Sequence, residues 1–382
     1  MSGLAHYKYI DALRGFAFLG VLTVHASLQV PSLSGATFAS AGAYGVQLFF
    51  LLSAVTLLRS VSLRTGKERF PLRNFFLRRF FRIAPLFWFG IVLSLFLDGT
   101  GGREWAPHGV GVWHLLSTAT FLHGWTPVTI NSVVPGGWSI AVEMTFYLCL
   151  PFLARRVTSI WSALSLAFYC VLAASALNRL SFALVTRLVP PDEQSLVGPF
   201  VSFWFPAQLP VFLVGFLTYH CLHSEAVTRF LAVPRRAALL AIIAVYGLLG
   251  LSQVTSGIIP LRMLYAGAFS ALILALAARP FTVAVNPATC HLGVLSFSCY
   301  ITHFAVLKAT AHFIRGDAFA SLPAQVGPWC HFAAVWVAAL VLTVAVSTLT
   351  YFFIEKPGIK LGNLLIRRHE GQASVTRQPA SA

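Results

Sequence analysis

Charged residues are scarce in this chain. Only 10% of its 382 residues are Asp, Glu, Lys or Arg, and just 11 of them are acidic, whereas 57% of the residues are hydrophobic. Soluble domains average roughly 25% charged residues, so the composition excludes an ordinary soluble protein. The stretches between strongly apolar segments are loops of at most a few tens of residues, roughly, which is too short for a folded domain. We therefore predict an integral membrane protein without a separate soluble domain.

Paired cysteine motifs and internal repeats are also missing. The six cysteines are scattered, with no CxxC pair and no Cys/His spacing typical of zinc, so we expect neither a disulfide framework nor a metal site. The N-terminus lacks a short apolar run followed by a cleavage site, so the first span is expected to be retained. The absence of a repeat argues against an inverted-repeat transporter.

What the chain does have is a series of long apolar runs. A spanning helix needs about 20 mostly apolar residues, and ten segments qualify, which predicts an all-α polytopic membrane bundle. The predicted spans are 12–30, 40–58, 80–97, 137–154, 159–177, 203–221, 237–254, 259–278, 290–312 and 331–354. The run GVWHLLSTATFLHGW, inside the polar stretch 98–136, is short for a span and is predicted to be re-entrant or interfacial. Counting it as a helix gives an eleven-span alternative.

The basic residues are distributed unevenly over this predicted topology. With ten spans and both termini inside, 21 of the 27 Lys and Arg residues fall in inner segments. The positive-inside rule explains this bias, and with it the net charge of +16, better than binding to nucleic acid does. We expect a plasma or inner membrane protein with cytoplasmic termini and no nucleic-acid partner. Residues 1–362 would form the membrane domain, and 363–382 a short, polar, disordered cytoplasmic tail.

Three ionisable residues form one stripe on the first span. Arg14 and His25 lie eleven residues apart, about three helical turns, and Asp11 precedes Arg14 by one turn, so all three share a face. Ionisable residues inside a span are costly and suggest a functional site. His25 is a candidate general base. Asp11, about 21 Å from His25 along the helix, is expected to pair with Arg14 or with another helix.

The loop before the third span concentrates eight of the basic residues between Arg59 and Arg82. Arg78, Arg79 and Arg82 enter the following helix, where charge that serves topology alone is not needed. Their guanidinium groups would suit phosphate oxygens. The alternative is a topology signal that also attracts anionic lipid.

Two further segments place polar side chains in the outer half of the bundle. In VPGGWSIAVEMTFYLCLP, Ser139 is expected to cap a helix, and Glu143 would lie at a depth similar to that of His25, where it could orient the imidazole. In SFSCYITHF, Tyr300 and His303 lie in the ninth span, although a lone histidine in a span is more often structural. Glu355 and Lys356 are interpreted as a boundary anchor, with Pro357 ending the helix.

These segments together resemble the membrane-bound acyltransferase family 3, the polysaccharide O-acetylases and related acyltransferases. The resemblance covers almost the whole chain in the family's order. It rests on YIDALRG followed by His25, GVQLFFLLSAVTLL, LRRFFRIAPLFW, PGGWSIAVEMTFYLCLPFL, SFSCYITHF and YFFIEKP.

The resemblance implies that the protein transfers an acyl group. It also implies that activity needs the residues that match the family's motifs, which are Arg14, His25 and the R-x-x-R pair Arg79 and Arg82. The donor would be acyl-CoA, often acetyl-CoA, and the acceptor a carbohydrate hydroxyl on the far side of the membrane. No permanently bound cofactor is expected. Further candidates, either for binding the substrate or for supporting the site, are Asp11, Trp138, Ser139, Tyr300 and His303. Membrane lipids, a second copy of the chain or a separate glycan-assembly protein would be its other partners.

Two other functions compete with acyl transfer. A transporter could use the same arginines to bind an anionic solute or a lipid-linked sugar. A non-catalytic scaffold would leave the stripe of Asp11, Arg14 and His25 unexplained.

The chain departs from the usual family pattern at four positions. These departures are Gln47 for a usual Asp, Ala54 for a Gly, Ala84 for a Tyr and Met144 for a second acid.

Overall fold

The computed structural model describes residues 7–34, 36–254 and 260–375, with side chains described as far as residue 370. Within these ranges the protein is helical and contains no strand, which confirms the predicted all-α membrane class. Its longer helices are α1 Lys8–Ser27, α2 Gly45–Arg64, α3 Pro71–Asp98, α4 Val112–Ala119, α5 Trp138–Arg156, α6 Ile160–Leu188, α7 Phe205–Leu222, α8 Pro234–Leu251, α9 Leu261–Ala278, α10 Pro287–Phe313, α11 Gly327–Thr350 and α12 Lys356–Val375.

Nine helical segments in the described ranges are long and apolar enough to cross a membrane. They correspond to nine of the ten predicted spans. The remaining one is α5, a helix of 19 residues that carries Glu143 in its interior and two arginines at its end, and that packs against α2, α3 and α7. In the stretch 98–136 the semi-apolar run forms only α4, whose eight residues are too few to span.

The long helices alternate in direction, which gives the bundle two distinct ends. The turn 65–70 lies at one end, together with the start of α1 and the last turns of α2, α7 and α9. This end is called the basic end because most arginines lie there. The connection 99–137 lies at the opposite end, called the loop end. Candidate site residues are thereby distributed along the bundle axis.

Helices α1 and α10 form the most extensive pair in the described part of the chain. Two glycines allow this approach. A Cβ at Gly293 would lie 1.8 Å from the carbonyl oxygen of Asp11, and a Cβ at Gly15 would lie 2.5 Å from that of Thr289. Small residues at such contacts let backbones meet in lipid, where the hydrophobic effect does not drive helices together. The pairing fixes the polar face of α1 against α10.

The C-terminal helix differs from the sequence prediction at Pro357. The chain passes from α11 through a π-helical turn, Tyr351–Glu355, directly into α12. The prediction that Pro357 ends the helix is therefore wrong. Proline lacks the N–H that would bond to the carbonyl four residues earlier. Here it follows a wider π turn, in which the hydrogen-bond register has already changed.

Helix α12 packs along α3 and is fastened to it by Glu370. The carboxylate of Glu370 accepts hydrogen bonds from Asn74 Nδ2 at 2.7 Å and from the backbone N–H groups of Arg69 and Phe70, both at 3.2 Å. These N–H groups belong to the start of α3, where a negative charge is favourable. The predicted disordered tail from residue 363 is thus corrected to helix as far as residue 375. Residues 376–382 lie outside the described residues.

Candidate active site

Three arginines and one carboxylate meet in a cavity inside the bundle. This cavity has a volume of about 280 Å³ and lies between α1, α2, α3, α5 and α10. Arg14, Arg79 and Arg82 line it, and among the described residues Glu143 is the one acid in the lining. It is called the arginine cavity below. An excess of positive charge with low-dielectric walls favours an anionic ligand.

Arg14 reaches the arginine cavity from α1. One of its terminal nitrogens lies 3.4 Å from the hydroxyl of Thr56 on α2, and the other lies 3.7 Å from the carboxylate of Asp11. The expected pairing of Asp11 with Arg14 is therefore present. Asp11 thus contacts the Arg14 guanidinium from one helical turn away, and Arg14 still lines the cavity.

Arg78 does not line this cavity, although the sequence suggested it as a phosphate ligand. Its two terminal nitrogens pair with the two carboxylate oxygens of Glu68, at 2.9 and 3.0 Å, and Arg64 donates to Glu68 at 2.8 Å. Burial raises the pKa of Glu68, but the hydrogen bonds from Arg78 and Arg64 outweigh this effect and hold the pKa below its ordinary value. Arg78 therefore fastens the turn 65–70, and of the three arginines at the start of α3 that the sequence suggested, Arg79 and Arg82 line the cavity.

Glu143 lies among the arginines and not beside His25. Its Oε1 accepts hydrogen bonds from Ser53 on α2 at 2.8 Å and from Tyr147 on α5 at 2.6 Å, and its charge acts on Arg14. His25 lines a different cavity. The prediction that Glu143 orients His25 rested on equal depth counted along two helices. The structure does not bring the two together, because depth does not fix the direction in which α5 presents its side chains.

His25 lines a second and larger cavity, of about 910 Å³, toward the loop end. It is called the histidine cavity. The His25 ring lies 5.4 Å from the ring of His303 and 4.4 Å from that of Phe304, measured between centroids. The other lining residues are mostly aromatic or polar and include Tyr44, Gln47, Asp98, Glu104, Trp105, Asn131, Trp138 and Lys308. A volume of this size accommodates a small organic ligand.

Tyr300 and Val46 line both cavities and so mark the place where they meet. The Tyr300 hydroxyl donates to the carbonyl oxygen of Gly136 at 3.0 Å, and the Ser139 hydroxyl donates to Tyr300 at 2.9 Å. Gly136 has a φ of +76°, and a Cβ there would lie 3.1 Å from the Tyr300 hydroxyl, so the turn requires glycine. Ser139 ties α5 to α10 instead of capping α5, because Gly137 occupies the cap position.

His303 lies behind His25 and is fully buried on α10. Its Nδ1 is 2.7 Å from the carbonyl oxygen of Tyr300, so we assign the proton to Nδ1 and leave Nε2 as an acceptor. Among the described residues this Nε2 has no hydrogen-bond partner. Buried acceptors are seldom left in that state. The neighbouring imidazole of His25 can supply the donor.

His123, in the connection 99–137, supports the start of α5. Its Nε2 donates to the carbonyl oxygen of Gly137 at 3.0 Å, and its ring stacks on Phe87. Burial lowers the pKa of His123 to about 4, so the ring stays neutral at physiological pH. The sequence analysis missed this residue because His123 lies in a semi-apolar run that shows no motif.

Glu355 was interpreted as a boundary anchor, and its position in the structure differs. Its side chain is 1% exposed, its Oε2 accepts a hydrogen bond from Ser298 on α10 at 2.8 Å, and Arg82 and Arg14 act on its charge. The π turn that ends at Glu355 rotates this residue into the bundle. Such turns often occur at functional sites. The sequence IEKP alone does not show whether the carboxylate points into the bundle or away from it.

Gln47 occupies a position where the family usually has an aspartate. It lines the histidine cavity, and its Nε2 donates to Oε1 of the buried Gln208 at 3.2 Å. A neutral amide pair thus joins α2 to α7.

The arrangement combines a positively charged cavity, suited to an anionic group, with an adjoining cavity that presents an imidazole. An imidazole can accept a proton from a hydroxyl near neutral pH, and buried guanidinium groups can hold phosphate or stabilise developing negative charge. In the described ranges, no group of three or more His, Cys, Asp or Glu side chains is placed to hold a metal ion.

Comparisons with known proteins identify the family of the chain. The family model described as "Acyltransferase domain", of acyltransferase family 3, matches residues 7–352. No curated protein and no solved structure matches the chain. The matched range contains every residue placed in the two cavities. The chain therefore belongs to acyltransferase family 3 and is an integral membrane acyltransferase.

Proposed function

We propose that this acyltransferase moves an acyl group, acetyl in particular, from acyl-CoA to a hydroxyl of a carbohydrate. One observation carries the proposal. The cavity lined by three arginines and the cavity lined by His25 meet at Tyr300 and Val46. An anionic donor and a neutral hydroxyl can thus approach each other from opposite ends of the bundle. The choice of acetyl, and of a surface polysaccharide, lipid-linked glycan or glycoside as acceptor, follows the family resemblance.

The arginine cavity would hold the diphosphate of the donor. Guanidinium groups match phosphate oxygens in geometry and charge. The cavity volume of about 280 Å³ lies at the lower end of the roughly 300–1,000 Å³ of pockets that enclose drug-sized ligands, and acyl-CoA is larger than these. It therefore takes only part of an acyl-CoA, and the thioester arm extends past Tyr300. The charges of Glu143 and Glu355 act on the arginines and partly balance them.

The histidine cavity would hold the acceptor. Its aromatic residues Tyr44, Trp105 and Trp138 offer flat surfaces for the apolar face of a sugar ring, and Asp98 and Asn131 can bond hydroxyl groups. Ligand sites commonly combine an apolar lining with a few polar groups that fix orientation. The turn at Gly136 and Ser139 sets the position of the wall that the acceptor meets.

In the proposed reaction, His25 removes the proton from the acceptor hydroxyl as its oxygen attacks the thioester carbonyl. The carbon–oxygen bond forms and the carbon–sulfur bond breaks. The imidazolium of His25 then returns its proton to the CoA thiolate. His303, acting as acceptor, holds the His25 tautomer whose second nitrogen faces the cavity. Arg14 stabilises the negative charge that develops during transfer.

The charge distribution supports an orientation for this reaction. With the basic end inside the cell, the arginine cavity is supplied with cytoplasmic acyl-CoA, both termini are cytoplasmic, and the acceptor reaches His25 from outside. This corresponds to a plasma or inner membrane protein surrounded by lipids. A glycan-assembly protein, or a second copy of the chain, would present the acceptor at the loop end.

The test compares cells that express the wild-type protein, His25→Ala or His291→Ala at equal levels. His291 is an exposed histidine on α10 and serves as the control. Mass spectrometry of surface glycans measures acylation. We expect loss of about 100-fold or more for His25→Ala and wild-type acylation for His291→Ala. Full acylation in the His25→Ala cells would exclude the assigned base.

Transport of an anionic solute by the same arginines is the competing function. Purified protein given acetyl-CoA and a crude glycan fraction distinguishes the two. Free CoA thiol accumulates if the protein is an acyl-CoA-dependent enzyme, and it does not if the protein only transports.

A further inference from the structure

A third cavity opens at the basic end, outside the two already described. It has a volume of about 370 Å³ and lies between the start of α1, the end of α2, the ends of α7 and α9, and the short helix Glu225–Leu231. Tyr7, Arg59, Tyr219, His223 and Thr228 contribute its polar and aromatic lining. None of these residues was assigned a role in the transfer.

Arg59 is placed to bind an anion in this cavity. Its guanidinium carbon lies 3.9 Å from the centroid of the Tyr7 ring, a cation–π contact that orients the group. Within the described residues no carboxylate pairs with Arg59, in contrast to Arg64 and Arg78, which share Glu68. Its hydrogen-bond donors therefore remain available to a phosphate.

The aromatic side of the cavity is built from Tyr219 and His223. Their rings lie 4.3 Å apart, and His223 Nδ1 donates to the carbonyl oxygen of Tyr219 at 2.8 Å. This bond holds the imidazole plane in a fixed position next to the phenol. The two ring planes are tilted by 41° to each other, so one ring face at a time, with a cation nearby, is offered to a purine base for stacking.

The position of the cavity relates it to the donor. Thr56 lines both this cavity and the arginine cavity, and it is the residue whose hydroxyl Arg14 contacts at 3.4 Å. The three cavities therefore adjoin in series along the bundle, first at Thr56 and then at Tyr300 and Val46. A ligand with a nucleotide at one end, a diphosphate in the middle and a thioester at the other end matches this order.

We propose that this third cavity binds the adenosine 3′-phosphate end of the acyl-CoA donor, with Arg59 on the 3′-phosphate and the Tyr219–His223 pair against the adenine. The proposal rests on the proposed function, because it names the binding site for the far end of the same donor. The diphosphate then lies between Arg14, Arg79 and Arg82, and the acyl group lies at Tyr300.

The test measures the affinity of the purified full-length protein for CoA and for 3′-dephospho-CoA. In the wild type we expect CoA to bind about tenfold more tightly. Arg59→Gln should lower the affinity for CoA about tenfold and that for 3′-dephospho-CoA by less than twofold. Tyr219→Leu should weaken both nucleotides equally. Arg235→Gln, which removes an exposed arginine of the same end, should change neither and serves as the control.

The outcomes separate this proposal from the proposed function. If Arg59→Gln weakens both nucleotides equally, or neither, while the wild type binds CoA, the nucleotide site is wrong and the donor assignment stands. If the folded wild type binds no CoA, both are wrong. If Arg59→Gln reduces the amount of anionic lipid that binds to the detergent-purified protein without changing its affinity for CoA, Arg59 serves lipid and the nucleotide site is again excluded.

Discussion

At the scale of single residues, His303 determines how His25 can act. Because Nδ1 of His303 donates to a backbone carbonyl, its Nε2 is an acceptor next to the His25 ring. The oxygen of a glutamine can replace Nε2, whereas that of an asparagine is too close to the backbone. We expect His303→Gln to retain most of the transfer rate and His303→Asn to lose about tenfold or more, since an imidazole in the wrong tautomer is a poor base.

The measurement for His303 is the maximal transfer rate as a function of pH, with protein stability followed in parallel. A positioning role changes the rate, and the pH at which it is half-maximal, while the KM for acetyl-CoA stays constant. His291→Gln, at an exposed position on the same helix, is the matched control. Equal rates in the glutamine and asparagine variants would contradict the role.

The neighbouring arginines Arg78 and Arg79 give a second prediction. Lysine cannot form the paired hydrogen bonds of a guanidinium. Arg79→Lys should raise the KM for acetyl-CoA about tenfold, equivalent to about 1.4 kcal/mol, because Arg79 lines the arginine cavity. Arg78→Lys should leave the KM unchanged and lower thermal stability, because Arg78 pairs with Glu68. Steady-state kinetics and thermal unfolding in detergent separate the two. The reverse pattern would show that the assignments are exchanged.

The sequence could not separate these two arginines. They are adjacent, and α3 is apolar on most sides, so its periodicity does not show which face turns inward. The partners decide: Glu68 holds Arg78 and Glu143 acts on Arg79. Those acids lie 10 and 64 positions away along the chain, and a single sequence does not reveal that they are close in space.

At the scale of elements, the contact of α12 with α3 positions the arginines. A Cβ at Gly358 on α12 would lie 2.8 Å from the carbonyl oxygen of Phe81 and 2.8 Å from the Pro85 ring. Gly358→Val should push α3 aside, at a cost of about 1–3 kcal/mol for overpacking. Because Arg79 and Arg82 lie on the same stretch of α3, the KM for acetyl-CoA should rise as well.

Gly267→Val is the control for this substitution, since nothing lies within 4 Å of a Cβ at Gly267 on the exposed side of α9. Thermal unfolding and donor kinetics are measured for both variants. If the two behave alike, α12 does not position α3.

Some element boundaries followed from the sequence and others did not. The long apolar runs predicted the spanning helices correctly. In lipid the backbone polar groups must bond to one another, and a helix is one of the few structures that allow this. Local rules failed at Pro357 and Ser139. At Pro357 a π turn changes the hydrogen-bond register, and at Ser139 the hydroxyl bonds to Tyr300 on another helix. Both outcomes depend on partners more than 50 residues away or on packing.

At the scale of the whole molecule, the face of α1 that carries Arg14 and His25 was predictable and the separation of the two residues was not. Helical geometry placed them on one side. Their assignment to different cavities depends on Tyr300, which crosses from α10 toward the turn at Gly136. The glycine contacts hold α10, which carries Tyr300, against α1. They involve residues some 280 positions apart, for which no local pattern exists.

Cavities that enter from opposite ends of a membrane protein have a consequence for ion permeability. If they joined as one wet channel, protons would leak across the bilayer and dissipate its electrochemical gradient. Tyr300 lines both cavities, and its hydroxyl bonds to Gly136 and Ser139, so we expect its ring to close their junction. We expect Tyr300→Ala to raise proton flux in proteoliposomes loaded with a pH-sensitive dye, and Tyr300→Phe, which keeps the ring, to remain tight. When an acyl chain moves past Tyr300, the chain itself must therefore fill the junction, so that no water enters behind it.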